Sequence, residues 1–157
     1  MSGARGVPDD PDAGGAGAAV PFVDTDVLIR FLTGDDPQKQ AAAASLLERV
    51  EKGEIVLRTT DTVIADAVFV LASPRLYRVP RDDVRDMLAV LVRLPGLEVD
   101  NRSVVLRALD LFAEHSVDFG DAMIVASMRE SGSATLYSYD ADFDRMEGIR
   151  RLEPGVG

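Results

Sequence analysis

The stretch VPFVDTDVLIRFL, Val20 to Leu32, decides how this chain is read. A short apolar-leaning run, Val20–Val23, meets Asp24. A second acid, Asp26, opens an amphipathic stretch with Val27, Leu28, Phe31 and Leu32 at helical spacing. The pattern predicts a buried strand that turns directly into a helix from about Thr25 to Leu32, with two carboxylates at the junction. Asp is favoured at helix N-caps and tolerates unusual turns, so each acid has a purely structural use there. Such junctions are also where open α/β sheets keep their chemistry. What matters is whether other acids converge on this one.

Working outward, GDDPQKQAAAASLLERVEKGE predicts a helix with Asp36 as N-cap, Pro37 at its first position and Gly53 as its stop. Ile55–Thr59 (IVLRT) is a short β-rich run. DTVIADAVFVLASP predicts a helix closed by Pro74, with a strand as the competing reading because of its β-branched residues. VPRDDVRDMLAVLVRLPG is an amphipathic helix with Pro80 near its start and Pro95-Gly96 at its end. LEVD is a strand candidate, and Asn101 is placed to cap the helix RSVVLRALDLFAEH. DFGDAMIVASMRESG is another helix, stopped by Gly132. ATLYSYD reads as a strand, ADFDRM as a short turn or helix, and IRRLEP as a final extended piece. No internal repeat is present.

Strands alternating with helices imply an α/β fold whose mostly parallel sheet is covered on both faces. Right-handed crossovers put the C-terminal ends of the strands on one edge, and ligands bind at that edge. Asp24 and Asp140 each follow a strand candidate, so both belong there.

The 157 residues fit one domain, residues 20–157, preceded by a Gly-, Ala-, Pro- and Asp-rich leader, residues 1–19, that is expected to be disordered. The leader has no continuous apolar segment of the secretory kind, and no apolar run reaches the roughly 18–20 residues of a membrane span. No membrane partner is expected. The absence of cysteine excludes disulfides, thiolate nucleophiles and thiolate zinc sites, and is compatible with a reducing cytoplasm, the expected location. A net charge of −10 disfavours non-specific phosphate binding. Part of that charge, Asp9, Asp10 and Asp12, lies in the leader. The balance argues against a nucleic-acid coat protein more than against a metal-dependent nuclease, whose carboxylates are partly neutralised by bound cations.

Asp66 is the only charged residue between Asp61 and Arg75, and its helical-wheel neighbours are Val63, Val70 and Phe69. Solvent is not its obvious destination. An ionised carboxylate in apolar surroundings needs a partner, Arg58, another Arg or a metal cation, or it takes up a proton. Asp118 and Asp121 form a capping-box-like pair at the start of their helix. DADFDR, from Asp140 to Arg145, imitates a calcium loop, but Arg145 stands where Gly is required and Arg151 where Glu is required. Asp142 and Asp144 therefore read as cap and surface residues. His115, the sole imidazole, sits at a helix end and makes a Ser–His–Asp triad a weak option.

Asp24, Asp66, Asp121 and Asp140, from four segments, thus have separate reasons to meet. Carboxylates packed within a few ångströms repel by about 1–4 kcal/mol per pair unless cations intervene. Oxygen-only ligands suit Mg²⁺ or Mn²⁺ rather than zinc. Arg75, Tyr77, Arg78 and Arg81, in RLYRVPR, form the best basic–aromatic patch for a nucleic-acid strand, with a solvated loop as the plainer reading.

VDTDVLIRFLTGDDP, VIADAVFVL, DFGDAMIVAS and YSYDADF, in that order, resemble the four motifs of PIN-domain ribonucleases, most closely the VapC toxins of bacterial toxin–antitoxin pairs. The likeness covers about Val20 to Pro154. It implies a PIN-like three-layer α/β fold, with a central, mostly parallel sheet of four to five strands flanked by helices. It also implies Mg²⁺- or Mn²⁺-dependent hydrolysis of RNA, a homodimer and a cognate antitoxin. By position, Asp24, Asp121 and Asp140 become metal-site acids, with Asp66, Asp118 and Asp142 as auxiliaries. Asp66 stands where the family has Glu, and Asp26 where Asn or Ser is usual. The shorter arm at 66 withdraws its oxygens by about 1 Å.

Two rivals remain. FVDTDVL also resembles the opening of haloacid-dehalogenase-like phosphatases, with Asp24 as nucleophile and Asp26 as general acid, but the only lysines are Lys39 and Lys52, both in one helix. A degenerate PIN module that binds RNA or an antitoxin without cleavage is the non-catalytic alternative.

Overall fold

The structure, a computed structural model, describes residues 19–155. The expected leader, apart from Ala19, lies outside the described residues. Asp24 ends the opening extended segment and begins α1 (Thr25–Leu32). A Pro37 start and an Asp36 cap open α2 (Pro37–Glu51) as the sequence predicts, and Gly53 ends it in the left-handed region at φ 77°. The short strand β1 (Leu57–Thr59) leads into α3 (Asp61–Ala72), a helix despite its β-branched content because Thr60 accepts a capping bond from the Val63 amide.

Next come α4 (Arg81–Val92), β2 (Leu97–Val99) and α5 (Arg102–Glu114). Asp118 caps α6 (Phe119–Ser131), which stops at Gly132 with φ 78°. The chain closes with β3 (Thr135–Tyr137), a 3₁₀ turn at Ala141–Arg145 and β4 (Arg150–Leu152). Asn101 does not cap α5 as predicted. Its backbone is left-handed at φ 56°, and its side-chain amide instead donates to Asp61 at 2.9 Å.

Every described strand pair is parallel, the α/β architecture the sequence implies. β1 pairs with β2, with Leu57 opposite Leu97, and β3 pairs with β4, with Leu136 opposite Arg151. The opening segment is reduced to a single parallel bridge, Phe22 to Arg58, instead of a strand over Val20–Val23. The Val23 amide donates to the Arg58 carbonyl and the Arg58 amide to that of Pro21, each at 2.9 Å. The next carbonyl, Val23, accepts from the Thr59 hydroxyl at 3.0 Å. A side chain thus takes over where backbone pairing ends. The described strands are three residues each and form two separate pairs rather than one sheet of four to five strands.

Helices supply most of the core. Leu28, Ile64, Leu71, Leu88 and Leu109 are fully buried and share one hydrophobic core with Leu97 of β2. α5 packs against both α4 and α6, and α1 against α2 and α3. Burying a Leu or Ile contributes about 1.5–3 kcal/mol relative to exposure, so this interlocking apolar layer fixes where each helix begins. The helix starts carry the acids.

Candidate active site

Asp24 caps α1, accepting a hydrogen bond from the Thr25 amide at 2.7 Å. Its position is set from behind, because Val23 is buried and its carbonyl is held by Thr59, which is itself completely buried. Thr59 was not singled out in the sequence. A Thr at the end of a β-rich run, facing an acid-bearing junction, is the signal that could have found it.

Asp118 accepts from the Asp121 amide at 2.9 Å, which completes the predicted cap of α6. Its neighbours Val117 and Phe119 are buried, so the acid stands between two core anchors. Asp140 lies beyond β3 and starts the 3₁₀ turn, accepting from the Asp142 amide at 2.8 Å while its own amide donates to the Ser138 hydroxyl at 2.9 Å. These segments meet at Asp121. Burial first, then the negative charges of Asp118, Asp140 and Asp142, raise its carboxyl above the ordinary 3.8. Asp121 therefore holds its proton more tightly than a free Asp.

Asp24 and Asp66 are not among the charges acting on Asp121. Asp66 faces solvent, contrary to the sequence reading. The buried face of α3 is Ile64, Ala67, Val68 and Leu71, and Phe69, the expected apolar shield, is itself 73% exposed. Arg58, the alternative partner for Asp66, pairs with Asp100 at 2.9 Å. Asp144 is a surface residue, as read, bound by Arg151 at 2.9 and 3.2 Å.

The four acids Asp24, Asp66, Asp121 and Asp140 therefore do not form one cage. Among the described residues no three Asp, Glu or His side chains come close enough to share a metal ion. The donor type suits magnesium and the spacing does not.

The predicted RNA patch is also largely committed elsewhere. Tyr77 donates to Asp35 at 2.6 Å, tying the α3–α4 loop to the α1–α2 loop. Arg78, left-handed at φ 53°, turns its guanidinium back onto the Pro74 carbonyl at 2.7 Å. Arg81 binds three carbonyls, those of Phe112, His115 and Val117. Arg75 is exposed and its side chain has no partner among the described residues. It stands on an open apolar trough of ≈ 1050 Å³, whose lining also includes Phe69, Val79, Phe112, Phe119 and Asp118. The trough thus reaches the start of α6.

A smaller pocket of ≈ 370 Å³ between α1 and α2 includes Asp26, Arg30 and Lys39 in its lining. Asp24, the nucleophile of a phosphatase reading, is not part of that lining. Among the described residues no helix is long and apolar enough to cross a membrane.

A VapC ribonuclease of Aquifex aeolicus (strain VF5) is 22% identical over 133 residues, covering 85% of this chain and 96% of that protein. The crystal structure of Mycobacterium tuberculosis VapC20, a sarcin–ricin-loop-cleaving toxin, aligns at 20% identity over 85% of this chain and 98% of that one, with a TM-score of 0.34. Residues 22–149 match the PIN domain family, a span from the opening bridge to the last turn before β4. The chain belongs to the PIN-domain family.

Proposed function

We propose that this protein is an endoribonuclease and the toxin of a toxin–antitoxin pair, hydrolysing RNA phosphodiesters at the start of α6. The observation that carries the reading is the crowding of Asp118, Asp140 and Asp142 on the half-buried Asp121. Family membership and the VapC relative support the same activity. Asp121, at the start of α6 with its amide on Asp118 and the charges of Asp118, Asp140 and Asp142 around it, is the group we assign to take a proton from the attacking water.

Such a cluster repels a phosphodiester. Divalent cations, Mg²⁺ or Mn²⁺, belong to this reading for that reason, and they take carboxylate oxygens. Asp121 and Asp140, with Asp118 and Asp142 beside them, are the proposed metal-site acids, and a bound cation would have to draw Asp24 and Asp66 toward them to complete the set. Arg75, on the rim of the trough, is the proposed RNA contact that the fold leaves free. The antitoxin and a second copy of the chain are the protein partners, and the bare ring of Phe69 supports a protein partner on that face. A cytoplasmic location completes the reading.

Purified protein with Mg²⁺ or Mn²⁺ is expected to cut RNA, and Asp121→Asn to lose at least about 100-fold of that rate, the usual scale for a general base. Cleavage that persists without divalent cation and survives Asp121→Asn refutes the mechanism. Absence of cleavage in the wild type, with RNA or antitoxin binding retained, selects the non-catalytic PIN module.

A further inference from the structure

We propose that Arg81 is a positioning residue for the α6 acids rather than an RNA contact, an inference that rests on the assignment of Asp118 and Asp121 to the active site. Arg81 is the first residue of α4, and Asp82 and Asp83 follow it. A cation at a helix N-terminus opposes the helix dipole, so the position is unfavourable within its own helix. The guanidinium leaves that helix. Its Nη1 lies 2.9 Å from the Phe112 carbonyl, 3.0 Å from that of His115 and 2.6 Å from that of Val117. Phe112 and His115 are at the C-terminal end of α5, where the dipole favours positive charge. Nη1 carries two protons, so three carbonyls share them.

The guanidinium carbon lies over the Phe112 ring, 4.2 Å from its centre. Phe112 in turn meets Phe119 edge-on, with ring centres 6.2 Å apart. Arg81 thus grips both ends of the α5–α6 connection. Val117, whose carbonyl makes the shortest of the three contacts, immediately precedes Asp118. Arg145 of the 3₁₀ turn binds the carbonyl between them, Ser116, at 3.2 Å. It also pairs with Asp142 at 3.6 Å. Three successive carbonyls, His115, Ser116 and Val117, are therefore held by two arginines from different segments. Loss of Arg81 frees the carbonyl next to Asp118, and with it the orientation of the Asp118 cap and of Asp121. A misplacement on the order of 1 Å at a reacting group costs about 100-fold in rate.

The test uses Arg81→Met, which keeps an apolar stem, and Arg81→Lys, which keeps a point charge without the planar fork. Site-resolved amide hydrogen exchange is expected to show protection at Asp121 and Ala122 falling about tenfold or more in Arg81→Met, with α2 and α3 unchanged. In RNA cleavage with Mg²⁺, kcat is expected to fall about 10–100-fold while KM and its salt dependence stay the same. Arg81→Lys should recover part of both losses. A raised KM with the salt slope reduced by about 1, and unchanged exchange at α6, makes Arg81 a phosphate contact and overturns the proposal. A uniform loss of protection across the chain overturns it too, as general structural support. Wild-type protein that cuts no RNA defeats the ribonuclease reading alone, and the exchange data then decide the role of Arg81.

Discussion

At the scale of the residue, an Asp at a helix start has two jobs that its sequence position cannot separate. Asp24 accepts from the Thr25 amide, so removing its oxygens removes a cap. Asn caps about as well as Asp, whereas Ala costs about 0.5–2 kcal/mol. Asp24→Asn is therefore expected to hold its urea midpoint and Asp24→Ala to lower it, while both lose RNA cleavage if the charge serves the site. Equal stability of the two variants contradicts the capping role. The same logic applies to Asp118, whose cap on the Asp121 amide was legible in DFGD because that bond is local. Asp66, exposed where the sequence predicts an apolar setting, differs for the opposite reason. A helical wheel gives neighbours along one helix but not which flank the rest of the molecule covers, and Phe69 beside it is left bare.

At the scale of elements, helices α1 to α6 follow their sequence signals closely, because caps, Pro starts and Gly stops act within a few residues. The connections do not. Asp35 gathers Tyr77 at 2.6 Å, Thr33 at 3.0 Å and Arg30 at 3.2 Å, and so clamps two loops 42 residues apart in sequence. The Tyr77 hydroxyl first, then Thr33 and Arg30, hold the Asp35 carboxyl below its ordinary 3.8. A depressed carboxyl contributes stability that is present above the unfolded value and is lost as pH falls through the folded one. Tyr77→Phe is accordingly expected to lower the urea midpoint at pH 7 and to narrow its deficit relative to wild type as pH drops below 3.8. A constant deficit from pH 7 down to about 2 contradicts the clamp. A second junction depends on Gly96, where a Cβ would lie 2.7 Å from Val50 Cγ1 and 2.9 Å from the Val50 carbonyl oxygen. Overpacking of this kind costs about 1–3 kcal/mol, so Gly96→Ala should lower the thermal midpoint by several degrees. An unchanged midpoint shows that α2 and the turn into β2 can separate freely.

At the scale of the whole molecule, the net charge of −10 acts through self-repulsion, and Asp118, Asp140 and Asp142 bring part of it to bear on Asp121. Raising monovalent salt from about 0.05 to 0.5 M shortens the screening length several-fold, and is expected to raise the thermal midpoint of the wild type. Asp121→Asn should show a smaller salt gain, because one of the crowded charges is gone. An equal gain in both proteins contradicts repulsion centred on Asp121. The trough beside this cluster and the exposed Phe69 also belong to this scale, since each is made by segments far apart in sequence.

The order of the helices, most of their stops and caps, and the presence of acids at strand and helix ends were legible in the sequence, because those signals act over three or four residues, whereas the Asn101 cap and the opening strand were not realised. Tertiary structure decided which acids share a field. Asp121 feels Asp118, Asp140 and Asp142, while Asp24 and Asp66 are not among those charges. It also decided the partners of Tyr77 and Arg81, since an arginine in a basic stretch finds the carbonyls of Phe112 and Val117 only after α5 and α6 have packed. Electrostatic and hydrogen-bond partners are set by distance in space, and a linear pattern carries distance only along the chain.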